Sequence, residues 1–357
     1  MPEPTPAIAL LLDEALGLLG QGALDAAEAI YRRILGSEPE NFQATHCLGV
    51  IHSQRGNHDE AAQLIGKALR IQPHSAMAHL NLGIALWNLD RPTEALTHYH
   101  HSLMLLPGNP AALLNQAAAL RRLGRVSEAL ASLDRYLALE PNSPAGHMNR
   151  GILLQDLDRI DDALTSLDRA IRLDSNLAEA HLARGNAFLA KAHGLAHIDQ
   201  LLQAVESYRR ALQLRPDHPE ALINLGHALW AMGCPGEALA CYEQALASCP
   251  RHPEAARHRG AALLFLKRPL EALASLDLSL SIAPDHPGAW MDRGIALLEL
   301  LRFSEAQQCF ERALDGTTQP TNSAADRKLL GSHEDAIARS FFRYRQEEGG
   351  QTLDRQG

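Results

Sequence analysis

Apolar residues recur at helical spacing along most of the chain, in pairs of short segments. Within residues 219–252, Leu222, Leu225 and Leu229 follow one another at steps of three and four, which is typical of one face of a helix. A second segment with the same spacing begins near Ala238, after a cluster of glycine and proline. The pattern predicts two short helices joined by a turn.

This hairpin pattern repeats along the chain. An alanine marks the same place nine times, and consecutive members are 34 residues apart except for one step of 41: Ala27, Ala61, Ala95, Ala129, Ala163, Ala204, Ala238, Ala272 and Ala306. A constant period of this length is characteristic of a solenoid, in which each hairpin buries its apolar face against its neighbours. Small residues such as Gly226 and Ala238 are expected where the two helices of a hairpin approach closely.

The repeat resembles that of the tetratricopeptide repeat (TPR) family. Its pattern of large, small and aromatic positions is matched in residues 219–252 by Leu222, Leu225, Gly226, Leu229, Ala238, Tyr242, Ala245 and Pro250. The resemblance implies an all-α fold, namely an α-solenoid of nine TPR-like helical hairpins forming a right-handed superhelix. A C-terminal capping helix is expected to cover its last repeat.

The period sets the boundaries of the predicted repeats. Residues 1–7 are expected to be disordered, residues 8–320 to form the repeats, and residues 321–357 to form the capping helix and a polar tail. The nine repeats are 8–41, 42–75, 76–109, 110–143, 144–177, 178–218, 219–252, 253–286 and 287–320. Seven extra residues lie between Phe188 and Ala204, and about two helical turns could lengthen each helix of that hairpin by one turn.

Composition narrows the classes of partner. The formal net charge is −9, and lysine and arginine form no basic stripe, so we expect no nucleic-acid partner. No apolar run approaches the length of a membrane span, and the first residues lack the basic start of a secretory signal. These features predict a cytoplasmic protein without a membrane span.

Candidate chemistry is sparse. The sequence lacks the common hydrolase, nucleotide-binding and zinc-protease motifs, so we expect no enzyme activity, no catalytic residue and no cofactor. The five cysteines are odd in number and lack zinc spacing, which favours free thiols. His98, His100 and His101 crowd one helix, but neighbours on a helix point in different directions. We therefore interpret the histidines as surface residues and expect no metal.

The strongest functional signal is an asparagine at the sixth position of four repeats: Asn81, Asn115, Asn149 and Asn224. Asparagine is a mediocre helix former, and its carboxamide can donate to and accept from a peptide backbone. In TPR proteins this position faces the concave groove, and the row resembles the asparagine ladder in the superhelix of O-linked N-acetylglucosamine transferases, which implies a grip on peptide backbone. The expected apolar lining is Leu80, Ile84, Trp87, Leu114, Met148, Ile152, Ile223 and Trp230.

Other interpretations stay open. The asparagines could instead be consensus residues that bond to the adjacent repeat. A chaperone-tail clamp would need groove lysines, but Met77, Leu80, Ala111 and Leu114 stand there. The main hypothesis is a non-catalytic scaffold that binds extended peptide segments of partner proteins in its groove. The alternatives are a substrate-presenting arm of a glycosyltransferase-like enzyme and self-association of the chain.

Overall fold

A computed structural model describes residues 6–192 and 198–316. The predicted capping helix and tail, residues 321–357, lie outside these ranges. Helix α1 begins at Pro6, so the last two residues of the segment expected to be disordered are helical. The chain divides between Lys191 and Ala192 into two compact units.

The first unit consists of helices only, within the part that is described. They are α1 (Pro6–Gly20), α2 (Leu24–Ser37), α3 (Phe42–Gln54), α4 (His58–Ile71), α5 (Ala76–Asn88), α6 (Pro92–Leu105), α7 (Pro110–Arg122), α8 (Val126–Leu139), α9 (Pro144–Asp156), α10 (Ile160–Leu173) and α11 (Ala178–Lys191). Each helix from α1 to α10 packs against the next one, both within a hairpin and between neighbouring hairpins. Helix α11 packs on α9 and α10.

The second unit has the same design. It contains α12 (Ile198–Leu214), α13 (Pro219–Ala231), α14 (Pro235–Ser248), α15 (Pro253–Phe265), α16 (Pro269–Ile282), α17 (Pro287–Glu299) and α18 (Phe303–Gly316). Consecutive helices of this unit pack on one another. No strand occurs in residues 6–192 or 198–316, and the predicted all-α solenoid of helical hairpins is confirmed.

In seven of the hairpins, the first helix starts at a side-chain cap. The side chain accepts a hydrogen bond from the backbone N–H three residues later, which satisfies a donor that the helix leaves unpaired. In the first unit the capping residues are Asn41, Ser75, Asn109 and Ser143. In the second they are the loop histidines His218, His252 and His286, each through Nδ1. These histidines are therefore structural.

The hairpins close around small residues. The nine periodic alanines are all fully buried. A Cβ added to Gly226 would lie 2.5 Å from a ring carbon of Tyr242, and one added to Gly83 would lie 2.5 Å from a ring carbon of Tyr99. The expected close approach of the two helices at these positions is confirmed.

The seven extra residues are distributed unevenly. Helix α11 has 14 residues where most first helices have 13, and α12 has 17 residues where most second helices have 14. The expectation of one added turn on each helix is wrong for α11. The remaining residues fall in the connection, of which 193–197 lie outside the described ranges.

Two further expectations concern the cysteines and membrane-spanning helices. All five cysteines lie among the described residues and have free thiols. None of the helices in the described ranges has the length and apolar character needed to cross a membrane.

Candidate functional site

The four predicted asparagines occupy one structural position, the sixth residue of the first helix of a hairpin. Asn81, Asn115 and Asn149 lie on α5, α7 and α9 of the first unit, and Asn224 lies on α13 of the second. The row is therefore divided between the units, and only its first three members belong to one packed body.

A pocket of about 620 Å³ lies along α5, α7 and α9. It is lined by Trp87, Leu114, Asn115, Ala117, Ala118, Arg121, Arg122, Leu133, Asn149, Ile152, Leu153 and Asp156. Its volume falls in the range of about 300–1,000 Å³ that is usual for ligand sites, and its walls are mostly apolar with a few polar groups. Trp87, Asn115, Asn149 and Ile152, all predicted site residues, meet here.

Two arginines shape the polar edge of this pocket. Arg121 Nε donates to Asp156 Oδ2 at 2.7 Å, which joins α7 to α9. Arg122 pairs with Asp90, and its guanidinium carbon lies 5.2 Å from the ring centroid of Trp87. A cation over an indole face is held by the ring quadrupole. Both arginine side chains remain about half exposed, so they can also contact a ligand.

The three asparagines of this unit differ in their partners. The amide of Asn81 bonds to His46 Nε2 on α3 at 3.0 Å. Asn115 Nδ2 donates to the carbonyl of Ala111 in its own helix at 2.9 Å, which leaves its carbonyl oxygen as an acceptor at the pocket. Asn149 forms no hydrogen bond within the described part of the chain, so its whole carboxamide is available. Asn81 thus follows the adjacent-repeat alternative, and Asn149 has the character that a peptide grip needs.

The predicted apolar residues differ in how accessible they are to a ligand. Leu80 is 3% exposed and packs in the core with Ala95 and Tyr99, so it offers no surface to a ligand. Ile84 and Met148 are half-buried against core clusters. In the second unit Ile223 is buried, and Trp230 packs edge-on against Phe265 with ring centroids 5.2 Å apart.

The equivalent positions of α15 and α17 hold charges instead of an open pocket. Arg257, the fifth residue of α15, is only 7% exposed and lies between Glu254 and Asp292 at 3.3 and 3.6 Å. His286 Nε2 donates to Glu254 Oε1 at 2.8 Å. His258, the sixth residue of α15, contacts Arg257 Nη2 at 2.9 Å. We call these five residues the ionic network.

Burial and pairing set the protonation states around this network. The neighbouring His258, the hydrogen bond from His286 and the charge of Arg257 hold the pKa of Glu254 far below its usual range. Burial lowers the pKa of His258 to about 4. Burial also lowers the pKa of His227, whose ring lies 4.2 Å from that of His258, to about 3. His258 and His227 are therefore neutral at neutral pH, and the carboxylates balance Arg257.

A third cluster joins the two helices of one hairpin in the first unit. His79 on α5 contacts His98 and His101 on α6. The ring centroid of His79 lies 5.3 Å from that of His98 and 5.1 Å from that of His101. We expected the α6 histidines to point in different directions, but two of them converge on His79. His98 and His101 are three residues apart and share a face, which is the signal that could have revealed the cluster.

Comparison with known proteins gives the family. Family models described as "Tetratricopeptide repeat" match residues 12–76, 48–100, 86–153, 223–287 and 261–331. A model described as "TPR repeat" matches residues 156–191 and 199–233. Together they account for nearly the whole of both units. No curated protein sequence matches the chain.

Solved structures share the fold. A chain of the APC/C hetero-tetramer Cut9-Hcn1 aligns with a TM-score of 0.56 and 19% identity, over 85% of this chain and 55% of that one. A tetratricopeptide repeat protein from Parabacteroides merdae aligns with a TM-score of 0.58 and 16% identity, over 72% and 98%. PilF of Pseudomonas aeruginosa aligns with a TM-score of 0.51 and 22% identity, over 62% and 96%. The chain belongs to the tetratricopeptide repeat family, whose fold typically serves as a non-catalytic scaffold for protein interactions.

Proposed function

We propose that the chain is a scaffold that binds an extended peptide segment of a partner protein in the pocket along α5, α7 and α9. The observation that carries this proposal is the pocket itself, where a half-buried indole and apolar walls meet two asparagines. Apolar walls with a few well-placed polar groups are the usual composition of a site that binds a flexible ligand.

The asparagines supply the backbone contacts. The carbonyl of Asn115 accepts, and the carboxamide of Asn149 both donates and accepts, which matches the N–H and C=O groups of an extended chain. The two residues stand at the same place on neighbouring first helices, so they contact successive stretches of one peptide. The sequence-based row of four is reduced to this pair, because Asn81 is bonded to His46 and Asn224 lies in the other unit.

The side-chain preference follows from the lining. Trp87, Leu114 and Ile152 favour an apolar or aromatic side chain of the peptide. Arg121 and Arg122 lie at the edge, and each side chain stays about half exposed although it pairs with a carboxylate, so each can still meet an acidic group. The favoured ligand is therefore a segment with a large apolar residue flanked by an acidic one.

The test begins with a random peptide library displayed on phage and selected on the full chain. Selected peptides are synthesised, and their affinity is measured by fluorescence anisotropy for the wild type and for the double variant Asn115→Ala, Asn149→Ala. A net contribution of about 0.5–1.5 kcal/mol per hydrogen bond predicts a loss of about 1–3 kcal/mol, or roughly 5- to 150-fold in affinity. Trp87→Ala should weaken binding further, because tryptophans are frequent anchors of interfaces.

Asn88→Ala is the matched control. Asn88 is an exposed asparagine of α5 that bonds to the carbonyl of Ile84 and lies outside the pocket lining. It should leave peptide affinity unchanged. Circular dichroism of each variant separates loss of binding from loss of folding. The proposal is wrong if no peptide is selected, or if the double variant binds selected peptides as tightly as the wild type.

A further inference from the structure

Three histidine side chains from one hairpin converge in the first unit. His79 lies on α5, and His98 and His101 lie one turn apart on α6. One ring nitrogen of each lies within 4.8 Å of the others. Among the residues that the structure describes, this is the only group of three or more histidine, cysteine or carboxylate side chains that could jointly hold a metal ion.

The tautomer of His79 follows from a contact that recurs in the chain. His79 Nε2 lies 3.0 Å from the carbonyl oxygen of Pro73. The fourth residues of α9 and α17, His147 and Trp290, make the same contact to the proline carbonyl at the equivalent place, at 3.0 and 2.6 Å. Because an indole N–H can only donate, the proline carbonyl accepts in this contact, and a ring nitrogen that bonds to it must carry a proton. We assign the proton of His79 to Nε2, which leaves a lone pair on Nδ1.

That lone pair faces the second histidine. His79 Nδ1 lies 3.1 Å from His98 Nδ1 and accepts a hydrogen bond from it in the metal-free protein; a metal ion would take the place of this proton. Two nitrogens on one tetrahedral Zn²⁺ ion, with bonds of about 2.0–2.1 Å, stand roughly 3.3–3.4 Å apart. The observed spacing is close to this value. His101 is exposed, so its ring can rotate the short distance that brings its nitrogen into the same sphere.

The surroundings of the cluster also suit a metal. The bond from His79 to a backbone carbonyl is the outer contact that orients metal-binding histidines. The Glu94 carboxylate, paired with Arg91, adds negative potential near His98.

We propose that His79, His98 and His101 bind one Zn²⁺ ion, with the fourth position open to water. Three imidazoles and an open position suit zinc, which takes nitrogen ligands in tetrahedral geometry. The ion would join α5 to α6 across their hairpin. The site is independent of the peptide pocket and needs no partner protein.

The chain carries its own matched control. His147 makes the same carbonyl contact as His79, but Ser166 and Arg169 of α10 stand where α6 has His98 and His101. His147 is therefore a single histidine in the same local setting. If the convergence of three rings matters, the removal of His147 should not affect metal binding.

The test uses the full chain without a histidine tag, stripped of metal by a chelator and titrated with Zn²⁺ by calorimetry. Co²⁺ serves as a second probe, because tetrahedral coordination gives it intense visible absorption. One equivalent should bind, and the melting temperature should rise because the ion binds only the folded hairpin. His101→Ala and His98→Ala should each weaken binding at least tenfold, while His147→Ala should bind like the wild type.

His101→Ala is the decisive variant, since an exposed side chain can be removed without disturbing the core. Circular dichroism confirms that each variant is folded. The proposal is overturned if the wild type binds no Zn²⁺ stoichiometrically, if folded His101→Ala binds it as tightly as the wild type, or if His147→Ala weakens it equally. Stoichiometric binding of Cu²⁺ or Ni²⁺ without Zn²⁺ would overturn the assignment to zinc.

Discussion

The two units use the same positions of the same repeat in opposite ways. In the first unit, the fifth and sixth residues of α7 are Leu114 and Asn115, and they line an open pocket. In the second, the fifth and sixth residues of α15 are Arg257 and His258. Arg257 and its partner Asp292 are buried, and His258 and Glu254 lie partly buried beside them. A buried charge needs partners to offset its lost hydration, so the ionic network satisfies itself. The pocket instead leaves polar groups available to a ligand.

The largest effect should come from removing the cation of the ionic network. Arg257→Ala removes the buried cation that lies 3.6 Å from the Asp292 carboxylate, and breaking a buried pair costs about 3–5 kcal/mol. Leu114→Ala, at the same place in α7, removes a half-buried apolar side chain and should cost about 1–2 kcal/mol. Urea unfolding with hydrogen exchange of each helix measures both, because solenoids can unfold in steps. Equal losses of unfolding free energy for the two variants would show that the ionic network stabilises the second unit no more than one half-buried apolar side chain stabilises the first.

A matched pair of glycine substitutions, one in each unit, should destabilise the two units by the same amount. Gly83→Val and Gly226→Val each place a Cβ about 2.5 Å from a ring carbon of a buried tyrosine. Overpacking of this kind costs about 1–3 kcal/mol. Because the packing inside the hairpins is common to the two units, the losses in unfolding free energy should agree within about 0.5 kcal/mol. A clear inequality would mean that the units differ in more than their groove positions.

The pH dependence of the second unit tests the histidines beside the network. His227 Nε2 is buried without a hydrogen-bond partner among the described residues, and burial lowers the pKa of this ring to about 3. The unfolded state therefore binds a proton on this histidine below about pH 6.5, whereas the folded state binds it only below about pH 3. Because the unfolded state binds more protons between these pH values, the free energy of unfolding falls as the pH is lowered through this window.

His227→Phe removes both the unpaired atom and this proton uptake. At pH 7 it should stabilise the second unit by about 1 kcal/mol. Between pH 6 and pH 4 the decline of stability should become shallower by about 1.4 kcal/mol per pH unit. Denaturant unfolding at several pH values measures both effects. An unchanged slope would show that His227 titrates normally in the folded protein.

The smallest effect concerns a hairpin turn. Gly124 in the first unit has φ of 73°, and Leu301 in the second has φ of 62° at the corresponding place. The left-handed region costs a non-glycine residue about 1–2 kcal/mol, and glycine loses about 0.5–1 kcal/mol in chain entropy. Leu301 is 73% exposed, so Leu301→Gly should stabilise the chain by up to about 1 kcal/mol. Gly124→Leu should destabilise it by a similar amount, and thermal melting measures the pair.

Much of the fold could be predicted from the period alone. The recurrence of small residues placed Gly226 against the facing helix, because a helical hairpin has one close contact per repeat. The insertion near Phe188 was located correctly, but its division between α11, the connection and α12 was not. Where extra residues enter a helix depends on what each added turn can pack against, and that information is not periodic.

The candidate site was predicted only in outline. The sixth-residue rule brought Asn115 and Asn149 to one pocket, but it gave the same weight to Asn81, whose amide is occupied by His46. Leu80 was included among lining residues and is buried. Spacing along one helix identifies a face, whereas the side chains of the neighbouring helices decide whether a residue on that face is free.

The sequence by itself determined the repeat, its helices and the face on which the asparagines lie, because these depend on residues within one turn or one period of each other. Only the tertiary structure decided which groove is open and which is filled. The ionic network joins α15 to α17, and the histidine cluster joins α5 to α6. Such contacts depend on the distance and rotation between packed helices, and a change of a few ångströms separates a bonded pair from an available group.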